Sequence, residues 1–154
     1  MKLIMASCQF ATSSSIDRNL FHILRQMKGA KQNGADVAHF PEACLSGYAG
    51  NDLNSYTGFD WELLDKSTPQ VLDLARQLGL WVFLGSTHRL TGKHKPHNSL
   101  YIINNQGRLI DRYDKMFCAG DRLGHSGELA HYSPGDHFTT FKIKGFDIQT
   151  GPIK

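Results

Sequence analysis

A chain of 154 residues fits one domain, and an apolar fraction of 40% is ordinary for a folded protein. The net charge of +3 comes from Lys and Arg scattered along the chain, which argues against a nucleic-acid partner, and no window is apolar over the length that spans a bilayer. Cys8, Cys44 and Cys118 are far apart and odd in number, which argues for a reducing compartment and against a disulfide framework. Met1 to Ala6 lacks a signal peptide's apolar core and cleavage site, so the expected location is cytoplasmic.

Taken in order, Leu3 to Phe10 is a mostly apolar run that predicts a first buried strand. Ser13, Ser14 and Ser15 offer N-caps, and Asp17 suits a first helical turn. Ile16, Leu20, Ile23, Leu24 and Met27 then recur at helical spacing, and Gly34 is placed to end the helix. Val37, Ala38 and Phe40 predict a second buried strand, ended by Pro41, which has no backbone donor. The result is a β-α-β unit with parallel pairing. Glu42 follows at once, where ligands bind in open α/β sheets, and is a candidate general base; a solvated loop glutamate would have the same local sequence.

Gly47 to Ser67 reads as irregular, with Gly50, Asn51, Asp52 and Gly58 as turn formers. Tyr48, Tyr56, Phe59 and Trp61 could wall a pocket, but anchoring a loop to the core is the commoner use of such residues. Thr68 is expected to cap a second helix, with Pro69 in its first position, Gly79 at its end, and Val71, Leu72, Ala75 and Leu78 as its apolar stripe. Leu80 to Leu84 predicts a strand, with Gly85-Ser86-Thr87 leading out of it. Asn98 to Asn104 predicts another, Asn105-Gln106-Gly107 a hairpin turn, and Arg108 to Tyr113 an antiparallel return. That return delivers Lys115. Cys118 to Gly135 reads as a surface loop and Phe138 to Ile143 as one more strand. The expected core is an α/β sheet with two helices on one face.

Glu42 and Lys115 each closely follow a strand. If the strand ends share an edge, acid and amine converge in one pocket; otherwise they are unrelated surface charges. His94 and His97, or His125, His131 and His137, lack the spacing of a zinc signature, so neither metal nor cofactor is expected.

Several segments, in this order, resemble the carbon–nitrogen hydrolases of the nitrilase superfamily. They are Phe40-Pro41-Glu42 with Leu45-Ser46-Gly47-Tyr48; Asn98-Ser99-Leu100-Tyr101-Ile102-Ile103 with Gly107; Tyr113-Asp114-Lys115; and Glu128 with Tyr132-Ser133-Pro134-Gly135-Asp136. The resemblance implies an αββα sandwich, of which this chain would supply about the first half: residues 1–145 as the N-terminal part of the domain and 146–154 as a divergent tail. It implies hydrolysis of non-peptide C–N bonds in small amides or nitriles by a Cys nucleophile, a Glu base, a Lys and often a second Glu. Glu42 matches the base, Lys115 the lysine, and Glu128, by its distance to Pro134-Gly135, the second glutamate. These roles suit the chemistry. A thiol with a free pKa of about 8.5 needs a base to take its proton, and a fixed ammonium stabilises the charge that attack builds.

The family's nucleophile ends a central strand in an Ile-Cys-aromatic pattern, which would fall near Ile153. This chain instead reads Gln149-Thr150-Gly151-Pro152-Ile153-Lys154, and Pro152 does not suit a central strand. Cys44 and Cys118 fall near Glu42 and Lys115, but neither matches the nucleophile's position. The expectation is a catalytically incomplete hydrolase fragment. The alternatives are a non-catalytic binding or regulatory module pairing with a full-length relative, and an enzyme using Cys44 or Cys118. An apolar sheet face without its second layer also predicts that the chain is not a stable monomer, forming a homo-oligomer, pairing with a full-length relative, or aggregating.

Overall fold

The computed structural model describes residues 2–121 and 123–151. Strand β1 is Met5–Ser7, helix α1 Ile16–Gln32, β2 Val37–His39, helix α2 Trp61–Leu78, β3 Trp81–His88, β4 His97–Ile103, β5 Leu109–Asp114, β6 Thr139–Ile143 and β7 Phe146–Thr150. The first five strands form one sheet in chain order, β1-β2-β3 parallel and β3-β4-β5 antiparallel. β6 and β7 form a separate two-stranded hairpin.

Side-chain alternation along the strands divides the core into two layers. Ala38, Val82, Leu84, Tyr101 and Ile103 face the helices, against Ile23 and Met27 of α1 and Leu64, Val71 and Ala75 of α2. Val37, Phe83 and Ile102 face the other way, where Ile143 and Phe141 of the hairpin cover part of the sheet. Both helices therefore pack on one face, as the two amphipathic stripes require. The hairpin turns on Lys144 and Gly145, with φ of 48° and 81°, the two positive values that a two-residue turn needs to match strand twist. Lys144 also pairs with Asp36 beside β2.

The helix starts show one success and one correction. Ser15 caps α1, its hydroxyl accepting from Arg18 N at 3.3 Å, as the serine run suggests. Helix α2, however, begins at Trp61 rather than at Thr68. Asp60 is its cap, accepting from Leu63 N at 2.8 Å, and Pro69 lies inside the helix. The proline is tolerated because it faces solvent, where water can reach the Asp65 carbonyl that its missing N–H leaves free. The stretch 61–67 is therefore helical, not irregular. Two strand bounds also move: β1 keeps only three residues of the predicted run, and β3 continues through Gly85-Ser86-Thr87 to His88. The expected loop 118–135 contains a 3-10 turn at Glu128–Ala130, and it buries Tyr132 almost completely, so it is not simply a surface loop.

Candidate active site

Glu42 is delivered by a tight turn at the carboxyl end of β2. Phe40 N still donates to Phe83 O at 2.9 Å, and Leu45 N then donates to Gly85 O at 3.1 Å, so the turn stays bound to β3. A Cβ at Gly85 would lie 2.0 Å from Pro41 O and 2.9 Å from Glu42 Cα, so only glycine lets the two backbones approach this closely. Buried Asn19 of α1 adds a tie, its Nδ2 donating to Leu45 O at 3.2 Å.

Lys115 follows β5 directly. Its N–H donates to Asn98 O at 2.8 Å and its carbonyl accepts from Gly135 N at 2.9 Å. Just before it, buried Asp114 is gripped by Arg112, with Nε at 2.8 Å and Nη2 at 2.9 Å on separate oxygens, and by Ser99 Oγ at 2.5 Å.

The three residues singled out in the sequence meet. Lys115 Nζ donates to Glu42 Oε1 at 2.8 Å and to Glu128 Oε1 at 2.5 Å. Glu42 Oε1 also accepts from Asn98 Nδ2 at 2.6 Å. Glu128 Oε1 accepts from Tyr48 OH at 2.7 Å, and its Oε2 from Ala119 N at 2.8 Å. Burial alone would raise the Glu128 carboxyl, but the hydrogen bonds from Lys115, Tyr48 and Ala119 outweigh it and hold the group below the usual glutamate range. Burial would lower Lys115, but its bonds to Glu128 and Glu42 raise it above the ordinary lysine value. Burial, reinforced by the bond to Glu128, likewise raises Tyr48. Lys115 is thus a fixed cation at neutral pH.

A cavity of about 440 Å³ opens beside this trio, with Phe40, Leu100, Tyr113 and Phe117 as apolar walls and Glu42, Asn98 and Lys115 as polar groups. Gly151, from the segment after β7, also reaches it. His39 lines the same space, and burial lowers its pKa. The geometry suits a small polar group at Glu42, Asn98 and Lys115 with an apolar body against the aromatic wall, while Glu128 holds Lys115 from outside this cavity's lining.

The thiols stand apart from the carboxylates. Cys44 is fully buried with Sγ donating to Gly85 O at 3.3 Å, and burial raises it far above an ordinary thiol. Cys118 is half-buried with Sγ 3.6 Å from Lys115 O. Burial and then Glu128 raise it, while Lys115 acts the other way. Burial raises Cys8 too. None of the three donates to a carboxylate among the described residues. The position near Ile153, where the family resemblance would put the nucleophile, lies outside the described residues. Among the described residues no group of three His, Cys, Asp or Glu side chains is arranged to hold a metal.

Two contributors have partners that the sequence reading does not name. Asn98 fixes Glu42 from the facing edge of β4, and its only sequence signal is its place in the Asn-Ser motif. Tyr48 belongs to the site through Glu128, whereas Phe59 in the loop and Trp61 at the start of α2 pack against the main core and Tyr56 packs on both of them.

The carbon–nitrogen hydrolase family model matches residues 4–148. No curated protein matches the chain in sequence. Among solved structures the fold is similar to an amidase from Nesterenkonia sp., with TM-score 0.80 and 19% identity, covering 96% of this chain and 54% of that one. A variant of that amidase carrying the product of Michael addition of acrylamide at its active site cysteine gives TM-score 0.82 at 18% identity, covering 96% and 56%. Another variant, in complex with butyramide, gives TM-score 0.80 at 19% identity, covering 96% and 54%. The chain spans about half the length of these solved relatives.

Proposed function

The chain belongs to the carbon–nitrogen hydrolase family, and from that premise we propose that its pocket receives a small amide or nitrile at Glu42 and Lys115, with Glu128 holding Lys115 from behind, and that residues 1–154 alone bind such a ligand without turning it over. The observation that carries this reading is the Lys115 ammonium held between two carboxylates at the mouth of an apolar-walled cavity. In this arrangement Lys115 is the donor for a carbonyl oxygen or nitrile nitrogen, and it would stabilise the negative charge that builds there during attack. Glu42 is the base that would take a thiol proton and later activate water. Glu128 keeps Lys115 charged and aimed. The step that does not follow is the attack itself: Cys44 is buried behind the Glu42 turn, and the Cys118 thiol faces a backbone carbonyl rather than a base.

Titration of the purified chain with butyramide, followed by amide NMR, tests this. Saturable shifts confined to the Glu42 turn, Asn98 and Lys115, lost in Lys115→Met, with no ammonia released above buffer, are expected. Turnover that disappears in Cys118→Ala or Cys44→Ala with folding intact would overturn the inactive reading, and unchanged spectra at saturating amide would overturn the binding one.

A second reading, pairing with another polypeptide, is favoured by surface area. The chain exposes 8671 Å², against about 7,800 Å² for a monomer of its 17.2 kDa. The excess of about 900 Å² is close to one partner's share of a standard interface, about 800 Å².

A further inference from the structure

Glu128 lies on a loop that belongs to no sheet, so its position depends on what ties that loop down. Much of the tether comes from residues 95–96, just ahead of β4. Lys95 Nζ donates to Gly124 O at 2.9 Å and to Leu129 O at 2.7 Å. Ser133 Oγ donates to Lys95 O at 2.8 Å, and Ser133 N to Pro96 O at 2.8 Å. Lys95 is half-buried and has no carboxylate within ion-pair reach among the described residues; two loop carbonyls take the place of a counter-ion. A cation between converging carbonyls relieves the repulsion of their dipoles, which a neutral side chain would not do.

The connection to Glu128 is short and continuous. Leu129 follows Glu128 directly. Leu129 N donates to Ala119 O at 3.0 Å, and Ala119 N donates to Glu128 Oε2 at 2.8 Å. Tyr132 N closes the turn on Glu128 O at 2.8 Å. Fixing the Leu129 carbonyl therefore fixes the one turn that aims the Glu128 carboxylate. We propose that Lys95 is a positioning residue: by binding the carbonyls of Gly124 and Leu129, its ammonium holds the Glu128 turn where that carboxylate spans Tyr48 and Lys115. The proposal deepens the reading of this site and rests on it only for the catalytic meaning of Glu128. Its test uses no ligand, so its failure and that of the amide reading are distinguishable.

The experiment is a carboxyl-carbon NMR titration of Glu128 in the full chain, in 1 M salt, where the screening length is about 3 Å and the distant field of the Lys95 charge is suppressed. The other ionisable groups facing Glu128, namely Lys115, Glu42 on the same ammonium, Tyr48 and Cys118, are present in every variant. Lys95→Met is expected to move the Glu128 midpoint up toward the ordinary glutamate value and to speed exchange of the Ala119 amide by about tenfold or more. Lys95→Arg, which keeps charge and donors, is expected to restore both. Ser133→Ala, which cuts a neighbouring tie and spares the ammonium, should leave the midpoint in place. Exchange at β3 and β4 reports that the fold is intact, and Lys95→Gln replaces the Met variant if that variant does not fold. A Glu128 midpoint unmoved by loss of the ammonium, or moved equally by Ser133→Ala, overturns the proposal.

Discussion

Glu128 Oε1 is shared between a phenol and an ammonium, which makes that carboxylate more than a neighbour of Lys115. Its folded-state pKa lies below the unfolded value of about 4.3, so its stabilising contribution is complete above that pH and is lost as pH falls through the depressed value. Lys115 has the opposite sign. Its pKa is raised, so its contribution is present below about 10.4 and is lost only as pH rises through the higher folded value. Glu128→Gln leaves three donors, from Lys115, Tyr48 and Ala119, facing a neutral amide and should cost about 1–3 kcal/mol at neutral pH. Chemical denaturation should show that difference shrinking as the pH drops below about 4, first because the unfolded carboxyl takes up a proton, and vanishing only once the pH passes below the depressed folded value, where the native carboxylate is protonated too. A gap that stays constant in acid would contradict the ion-pair account. At this scale the sequence was readable where a motif supplied the residue: Glu42, Lys115 and Glu128 were all found in advance, and they converge. Asn98 and Tyr48 were visible as letters of motifs but not as partners, because their roles exist only once β4 and the 48–53 loop are folded beside the strand ends.

Among the elements, the approach of β3 to the turn after β2 sets the site. Gly85 has no room for a side chain because backbone atoms of Pro41, Glu42 and Ala43 already occupy that space. Gly85→Ala should therefore push the Glu42 turn away, break the 2.8 Å contact with Lys115, and destabilise the fold by about 1–3 kcal/mol as an overpacked position does. Loss of the Glu42 and Lys115 cross-peaks characteristic of the paired state, together with a lower denaturation midpoint, would be the signature; a Gly85→Ala protein with both unchanged would contradict it. The sequence presented Gly85-Ser86-Thr87 as the end of a strand because glycine and small polar residues are turn formers in isolation. Pairing with Leu100, Ser99 and Asn98 on β4 keeps them in the strand. Helix α2 was misplaced for a similar reason. Thr68-Pro69 is a strong start signal in isolation, whereas the real start at Asp60 shows itself only through Leu64, Ser67 and Val71 falling on one buried stripe. An exposed proline within a helix costs least where solvent can satisfy the freed carbonyl, and nothing in the local sequence marks that exposure.

For the whole molecule, composition and chain order were enough to read an α/β sheet with both helices on one side. What lies against the other face was not legible, because the hairpin's role depends on contacts with Trp81 and Phe83 far away in the chain. Phe117 is 71% exposed, and Leu109, Ile110, Phe138 and Phe146 are also open to solvent. Large apolar side chains left in water favour association where they come together. We expect sedimentation at micromolar concentration to show a dimer or larger species, and mixing with a full-length family member to yield a hetero-complex. A monodisperse 17.2 kDa species that binds no apolar dye would rule out this proposal.

The β6–β7 hairpin closes on its own Lys144-Gly145 turn and meets the five-stranded sheet through side chains, with Phe141 stacked on Trp81 at 6.0 Å, rather than through a shared ladder. It can therefore lift away without breaking a strand pairing of the main sheet, and a lone two-stranded hairpin is only marginally stable in water. That makes it a separate cooperative unit with its own, lower opening free energy. Native-state hydrogen exchange should show the ladder amides of Phe141 and Ile148 opening together at low denaturant, well before those of Val82 and Ile102. Because Gly151, one residue past β7, stands on the wall of the Glu42 cavity, each such opening would also take away that part of the wall, so the shape of the pocket is tied to the least stable unit of the fold.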